Sequence, residues 1–334
     1  MDLTDLSELP LEVLVHMALQ MDIPEVLSFC ELSHRINRKV CRRRHFWKLL
    51  LQKDNLDISP DLIFKDERFN WLLYFLIKYP EKNWDWFRVS ANPNITWEII
   101  QKYSNLPWKW GWLSANPNIT LDIVKGNPDK KWNWFHFSRN PSVTWEIISQ
   151  NLDEKWNWSG LSENPNITPE IILDNPDRDW NWWALSDNPN VTWEFVQKNL
   201  DKGWNWWALS DNPNVTWEFV QKNLDKKWNW FRLSRNPIVT WAIVQAHPDL
   251  LWDWSGLSEN PNITLEIVQN HPEKPWHWRF LSMNPNITWE IIQKHSDLPW
   301  DYDGLSKNPT ITWEIIYNHP DRLWSWSGLS SKIN

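Results

Sequence analysis

Three observations predict an all-α fold built as a solenoid of stacked short helices. A tryptophan recurs every 24 residues without a slip from Trp84 to Trp324, giving ten full repeats and an eleventh that stops at Asn334. Each full repeat carries Asn-Pro at its ninth and tenth places and Thr at its thirteenth. The segments so delimited are too short to be stable alone, so each must bury its apolar side against the repeats before and after it.

The amino end differs in kind. Residues 9–50 read LPLEVLVHMALQMDIPEVLSFCELSHRINRKVCRRRHFWKLL, which divides into three short helices. The first is Leu11 to Met21, with Leu11, Leu14, Val15 and Ala18 at helical spacing. Pro24 opens the second, which runs through Cys30, and Ser33 or Asn37 starts the third. So many apolar side chains in some forty residues seldom close a sufficient core, and a partner surface is implied. The basic run at 35–48 reads as the solvated face of the third helix. Between this segment and the array, Tyr79-Pro80-Glu81 aligns with Asn127-Pro128-Asp129, so Leu73 to Lys78 corresponds to a repeat's second helix. Domains are therefore drawn at 1–55, at 56–83 for a connecting and capping half-repeat, and at 84–334 for the solenoid.

Within a repeat, two segments follow one another. The first, for example DKKWNWFHFSRNP, can start at Asp129 and must end before Pro141, because the residue ahead of proline avoids helical angles. It has room for two turns, partly 3₁₀. The second is WEFVQKN and its variants. Thr192 is placed to cap it, Glu194 suits the positive end of its dipole, and Pro169 stands at the first helical position of the fourth repeat. It ends at Asn127, Asn151, Asn175, Asn199 or Asn223, or at a histidine, where a left-handed C-cap is expected. The first place holds eleven of the 33 tryptophans, the third ten and the fourteenth seven, so most of them belong to the repeating core. The closing SWSGLSSKIN has Ser and Lys suited to a polar cap.

Composition bounds the function. A net charge of −8 argues against nucleic acid as the main partner, since that affinity rests on neutralising phosphates. No stretch approaches a membrane span, and the acidic start MDLTDLSELP is not a signal peptide. Cys30 and Cys41 are too few for a disulfide framework and fit a reducing compartment, so a cytoplasmic protein is expected. His247, His271, His295 and His319 share one place in four repeats, but helices about 8–10 Å apart cannot bring them to one metal. Capping is the better account, and neither metal nor cofactor is expected. The acidic residues of TWEII and NPD recur identically, whereas catalysis needs a unique constellation, so no enzyme is expected.

Variation is concentrated at the fourth and fifth places. Phe87, Trp112, Phe135, Trp183, Trp207, Phe231 and Phe280 are bulky there, while Ser159-Gly160 and Ser255-Gly256 are small. These aromatics are the candidate substrate-binding residues; filling gaps between layers is the alternative.

Two resemblances carry these readings further. SENPNITPEIILDNPDRD at 162–179 resembles the leucine-rich variant repeat, also 24 residues long, with Trp where that family has Val, Leu or Pro. The resemblance implies a right-handed superhelix of alternating α- and 3₁₀-helices. Similar NPNITWEII arrays occur in giant DNA virus proteins, for which the compartment would be the host cytoplasm. The segment at 9–50 resembles the F-box, with Leu9, Pro10, Glu12, Val13 and Leu14 at its opening, Val26 and Leu27 in its second helix, and Trp47 with Leu50 at its close. That resemblance implies docking on Skp1, and hence on a cullin ubiquitin ligase, through Leu9, Pro10, Val13, Leu14, Met17, Val26, Leu27 and Trp47. The expected function is a non-enzymatic adaptor that holds an unknown protein substrate on its solenoid. A structural or scaffolding repeat protein, with the first sixty residues merely a cap, is the alternative. Glycan binding is a third class.

Overall fold

The computed structural model describes residues 9–31, 40–41, 44–65 and 68–333. The chain divides into two compact units, residues 1–82 with 333–334, and residues 83–332.

The first unit contains α1 (Leu11–Gln20), α2 (Ile23–Glu31), α3 (Arg44–Lys53) and α4 (Pro60–Ile63). A two-stranded antiparallel ribbon, β1 (Phe64–Lys65) and β2 (Arg68–Phe69), precedes α5 (Trp71–Lys78). Asp22 and Glu25 start α2 by a reciprocal capping box: each backbone N–H donates to the other's carboxylate, both at 2.9 Å. Leu14, Ala18, Val26, Phe29, Phe46, Trp47, Leu50 and Leu51 form the core. The predicted start of the third helix at Ser33 or Asn37, and much of the basic run, lie outside the described residues; α3 begins at Arg44. Cys30 and Cys41, expected as free thiols, are joined by a disulfide, their Cα atoms 6.0 Å apart. Composition alone missed this because one short-range pair needs only proximity, not a framework. The helix α5 holds the register of a repeat's second helix. Its cap residue Tyr79 has φ −131° and ψ 60°, the backbone found at Asn175 and His247 in the repeats.

The second unit is a run of short helices in which first helices, from Trp86–Ala91 to Trp326–Leu329, alternate with second helices, from Trp97–Lys102 to Trp313–Asn318. All ten second helices are capped as their sequence predicts. Thr Oγ1 accepts the N–H three residues on, at 3.3 to 3.5 Å. The first helices start later than expected, at Trp134 and not Asp129 in the third repeat, because the residue at place two is the cap. Asn133, Asn157, Asn181, Asn229 and Asp253 accept the N–H three residues on.

The left-handed C-caps are absent. The terminal Asn and His residues have φ between −120° and −135°, and the described non-glycine residue at positive φ is Asn55. Asn127, Asn151, Asn175, Asn199 and Asn223 act through their side chains instead, whose Nδ2 donates to the carbonyl four residues back. His271 and His319 lie against Trp241 and Trp289 of the preceding repeat, with ring centroids 4.9 and 4.8 Å apart.

Three ladders join the layers. The tryptophan at place three meets the tryptophan at place one of the next layer edge to face, a favoured geometry for aromatic pairs. The ring centroids stand 5.1 to 5.5 Å apart, with Tyr302 substituting once. That place-one indole also donates its N–H to the carbonyl that ends the preceding second helix, as Trp204 does to Asn199 at 2.7 Å. The buried serine at place seven accepts the place-two N–H of the next layer, as Ser186 does from Asn205 at 2.9 Å. The asparagine at place nine, buried in all ten repeats, donates its Nδ2 to backbone carbonyls of the preceding layer. Asn188 reaches Ser162 O, Asn164 O and Ile167 O at 2.9, 3.0 and 3.1 Å.

All three ladders continue from the last layer to the first. Trp326 meets Trp84 edge to face at 5.1 Å, Asp85 N donates to Ser330 Oγ at 2.9 Å, and Asn92 Nδ2 donates to Ser330 O and Lys332 O at 3.2 and 3.0 Å. Lys332 itself occupies place nine and sends its Nζ to Asn308 O at 2.9 Å, doing what an asparagine does elsewhere. The array is therefore closed on itself. The carboxyl-terminal Ser and Lys, expected as a polar cap, are a joint.

Candidate functional site

Closure sorts the two sets of helices. A Cβ at Gly160, Gly256 or Gly304 would clash with the backbone carbonyl of Phe135, Phe231 or Arg279 in the preceding first helix. First helices approach one another more closely than second helices do. In a closed array the tighter spacing is on the inner side, so the first helices form the inner wall. Eleven layers at roughly 8–10 Å put that wall at a radius of about 15 Å, and with helices about 10–12 Å thick leave an opening of about 15–20 Å. Places six and seven point into the layers, as the buried Leu185 and Ser186 show. Places four and eight lie on the other side of the helix and line the opening, with place five at their edge.

The tryptophans obey this division. Those at places one, three and fourteen are buried or half-buried. Among the described residues, the exposed tryptophans are Trp112, Trp183 and Trp207, at 41, 60 and 60%, and all three stand at places four or five. Phe87 joins them at 51%, while Phe135, Phe231 and Phe280 are half-buried.

The seven aromatics do not form one surface. Phe87 meets Trp112 at 5.9 Å, Trp112 meets His136 at 4.9 Å, and His136 meets Phe135 at 5.5 Å, which makes a strip across the first three repeats. Burial and the nearby Arg139 hold the His136 imidazole below its usual pKa, so the strip stays neutral near pH 7. Phe231 and Phe280 come together at 5.6 Å above the small Ser255-Gly256 of the repeat between them; this pair fills a gap. The equivalent gap at Ser159-Gly160 is not bridged. There an open depression of about 660 Å³ is lined by Asn157, Ser159, Asp179, Asn181 and Trp183.

Place eight carries charge, a signal the sequence reading passed over. Arg139 pairs with Glu163 at 3.0 Å across one layer, and Arg235 pairs with Asp211 at 3.0 Å and Glu259 at 3.7 Å. Burial pushes the carboxyl groups of Glu163 and Glu259 upward, opposed by these arginines. Asp187 is also raised, by desolvation first, against the pull of Arg232 and Arg139 and with Asp211 adding to the rise. Lysine or arginine stands over place-three indoles at 5.3 to 5.9 Å, as Lys202 does over Trp182 and Lys226 over Trp206.

In the first unit, the residues named for Skp1 docking separate by exposure. Pro10 and Val13 are exposed; Leu9, Met17 and Leu27 are partly so; Leu14, Val26 and Trp47 are buried in the unit's own core. Trp47 also donates its indole N–H to Cys41 O at 2.6 Å. Among the described residues no cluster of His, Cys, Asp and Glu is placed to hold a metal ion, and no helix is long and apolar enough to cross a membrane. No family model matches this chain, and no match is found among curated proteins or solved structures.

Proposed function

We propose that the chain is a non-enzymatic adaptor whose closed array holds a protein substrate on the inner aromatic surface, and whose amino-terminal helices dock on Skp1 of a cullin ubiquitin ligase. The observation that carries the binding half is the restriction of exposed tryptophan to the variable places, where no ladder requires it. An array that buries its indoles at every repeating place and bares three at places of free choice is shaped for recognition, where tryptophan anchors are favoured. The docking half rests on the F-box resemblance and on the apolar surface left by Pro10, Val13, Met17 and Leu27. The mechanism is proximity: the ligase supplies the chemistry and the adaptor raises the substrate's local concentration. Docking on that ligase would place the protein in the cytoplasm, a location that the Cys30–Cys41 disulfide no longer lets the cysteines support.

Co-purification of the full chain with Skp1 tests the docking half. Val13→Glu is the informative variant, since Val13 is 42% exposed, whereas Leu14 is fully buried and its loss would unfold the unit. Binding by wild type and loss in Val13→Glu is the expected result; no binding by wild type removes the ligase role. A second reading, a scaffolding protein whose first unit is only a cap, is favoured by the burial of Leu14, Val26 and Trp47, which leaves three of the eight docking residues without a free face.

A further inference from the structure

We propose that the bare faces of Trp183 and Trp207, with the carboxylate of Asp187 beside them, are the docking site for an arginine- or lysine-bearing segment of a protein partner. The inference deepens the adaptor reading, on whose binding half it rests, by naming the chemistry of what the inner wall takes.

Two regularities of the array, each broken at this one place, carry it. The first is charge pairing at place eight. From the third repeat to the eighth the series is Arg139, Glu163, Asp187, Asp211, Arg235, Glu259, and each opposite-charge neighbour pair is an ion pair. Asp187 stands between two acids; the arginines beyond them are engaged by Glu163 and by Asp211 with Glu259, and Arg232, whose charge also reaches Asp187, is paired with Asp211 at 3.7 Å. No ion pair forms at Asp187 among the described residues. The repeats at 180 and 204 are twins, identical except for Gly203 against Lys227 at the last place, yet they differ in this respect because place eight of the following repeat is Asp211 for one and Arg235 for the other.

The second regularity concerns indole faces. Rings at place three are covered by a lysine or arginine in five repeats, including both twins. Exposed-place aromatics elsewhere cover one another, as Phe87 and Trp112 do, or Phe231 and Phe280. Among the described residues neither Trp183 nor Trp207 has a ring or a cation against it, and they are the most exposed tryptophans. Trp183 lies in the short helix Trp182–Leu185, Asp187 is exposed in the turn that directly follows it, and Trp207 comes one layer on.

A cationic side chain answers both breaks at once. It can lie on an indole face and form a charge-assisted bond to the carboxylate. A sugar would use the indoles but leaves the unpaired acid unexplained. The layer spacing of about 8–10 Å equals about three residues of extended chain, so two cationic side chains three positions apart match Trp183 and Trp207 in register. The depression beside Ser159 gives the chain room to enter.

The test is fluorescence anisotropy of labelled eight-residue Gly/Ser peptides titrated with the full chain. One peptide carries arginines at positions 3 and 6, one carries glutamates there, and one carries serines. The arginine peptide is expected to bind and the other two not to. Asp187→Asn and Trp183→Ala should each weaken binding about tenfold, and Leu323→Ala, at an exposed residue of the tenth repeat outside the aromatic set, should leave it unchanged. All three replaced side chains are exposed, and circular dichroism confirms that the variants are folded. Equal binding of the serine peptide overturns the proposal, as does full binding by both Asp187→Asn and Trp183→Ala. So does a Trp183-dependent response to maltohexaose with the arginine peptide silent, which would make the surface a glycan site. No Skp1 is present in this titration, so its failure leaves the docking of the amino-terminal helices untouched, and the reverse holds as well.

Discussion

Replacing Asn188 by alanine probes the ladder that holds the layers together. Its side chain is fully buried, its Nδ2 donates to three carbonyls of the preceding layer, and its Oδ1 accepts from Asn190 N at 2.8 Å. An amide carries two N–H protons, so the three Nδ2 contacts count as about two bonds, and with Oδ1 the side chain makes three. At about 1 kcal/mol net for each, the loss comes to about 3 kcal/mol, with incomplete re-pairing of the buried carbonyls adding to it. Asn188→Asp should cost more near pH 7, because a carboxylate facing three carbonyls has no proton to donate. Part of that loss should return under acid, where the carboxyl regains one donor. Urea unfolding followed by both tryptophan fluorescence and circular dichroism measures the effect; coincidence of the two transitions licenses a single free energy, which repeat arrays do not always allow. Asn190→Ala serves as the comparison, since Asn190 is only half-buried, and it should cost less. If Asn188→Ala lies within about 0.5 kcal/mol of wild type, the range of an ordinary surface substitution, the ladder is not what joins the layers.

Three further outcomes follow from the same structure. Gly160→Ala should cost about 2–3 kcal/mol, because backbone must shift to admit a methyl group that clashes with Phe135 O. At Gly111 the nearest atom to an added methyl is Asn133 Cβ at 3.8 Å, an ordinary contact. Gly111→Ala should therefore stabilise its helix by about 0.5–1 kcal/mol, and thermal melts of the two variants give the two signs. Truncating the half-buried Trp206 to alanine should cost about 3 kcal/mol and truncating its exposed neighbour Trp207 well under about 1 kcal/mol, a contrast read in urea. Burial pushes the Lys332 amine down to about 8, so below that pH the folded chain carries the full burden of a desolvated charge. The unfolded chain then binds more protons between about pH 8 and 10.5. Stability should rise through that window by at most about 3 kcal/mol, and Lys332→Asn should remove the rise and stabilise the joint at pH 7.

The second helices were legible because their signals are local: Thr at place thirteen, Glu after it, and Pro169 at the first helical position each act within one turn. The burial of the periodic tryptophans was legible from the need of short helices for neighbours. Asn-Pro was read as a terminator, which it is, but the same asparagine is also the buried rung between layers. Nothing within one repeat distinguishes an asparagine that ends a helix from one that also bonds to the layer behind it. Ser at place seven hid its role for the same reason. Place two was passed over as a cap because the tryptophans beside it suggested a helix already begun. The terminal Asn and His suggested left-handed caps because they sit where such caps occur, yet the side-chain amide of Asn satisfies the last carbonyl without one.

The candidate site was legible in part. Comparing places across repeats isolated Phe87, Trp112, Trp183 and Trp207, because bulk that varies against a constant background is not needed by the core. It could not separate them from Phe231 and Phe280, which meet across a whole repeat and fill a gap. Closure was not legible, since it depends on a small rotation accumulated at every layer, and slight differences in spacing such as that set by Gly160 decide it. Lys332 gave no hint, because in sequence it is only a lysine near a terminus.

Spin labels placed at residues 87 and 327, both at the fourth place, in the first and last layers, test closure most directly. On a background with Cys30 and Cys41 changed to serine, dipolar broadening of the continuous-wave EPR spectrum, which reads separations near the layer spacing of about 8–10 Å, should give this pair the distance found for labels at 87 and 111, which stand in adjacent layers. A spectrum without that broadening would mean an open superhelix, and with it no inner wall for the tryptophans to line.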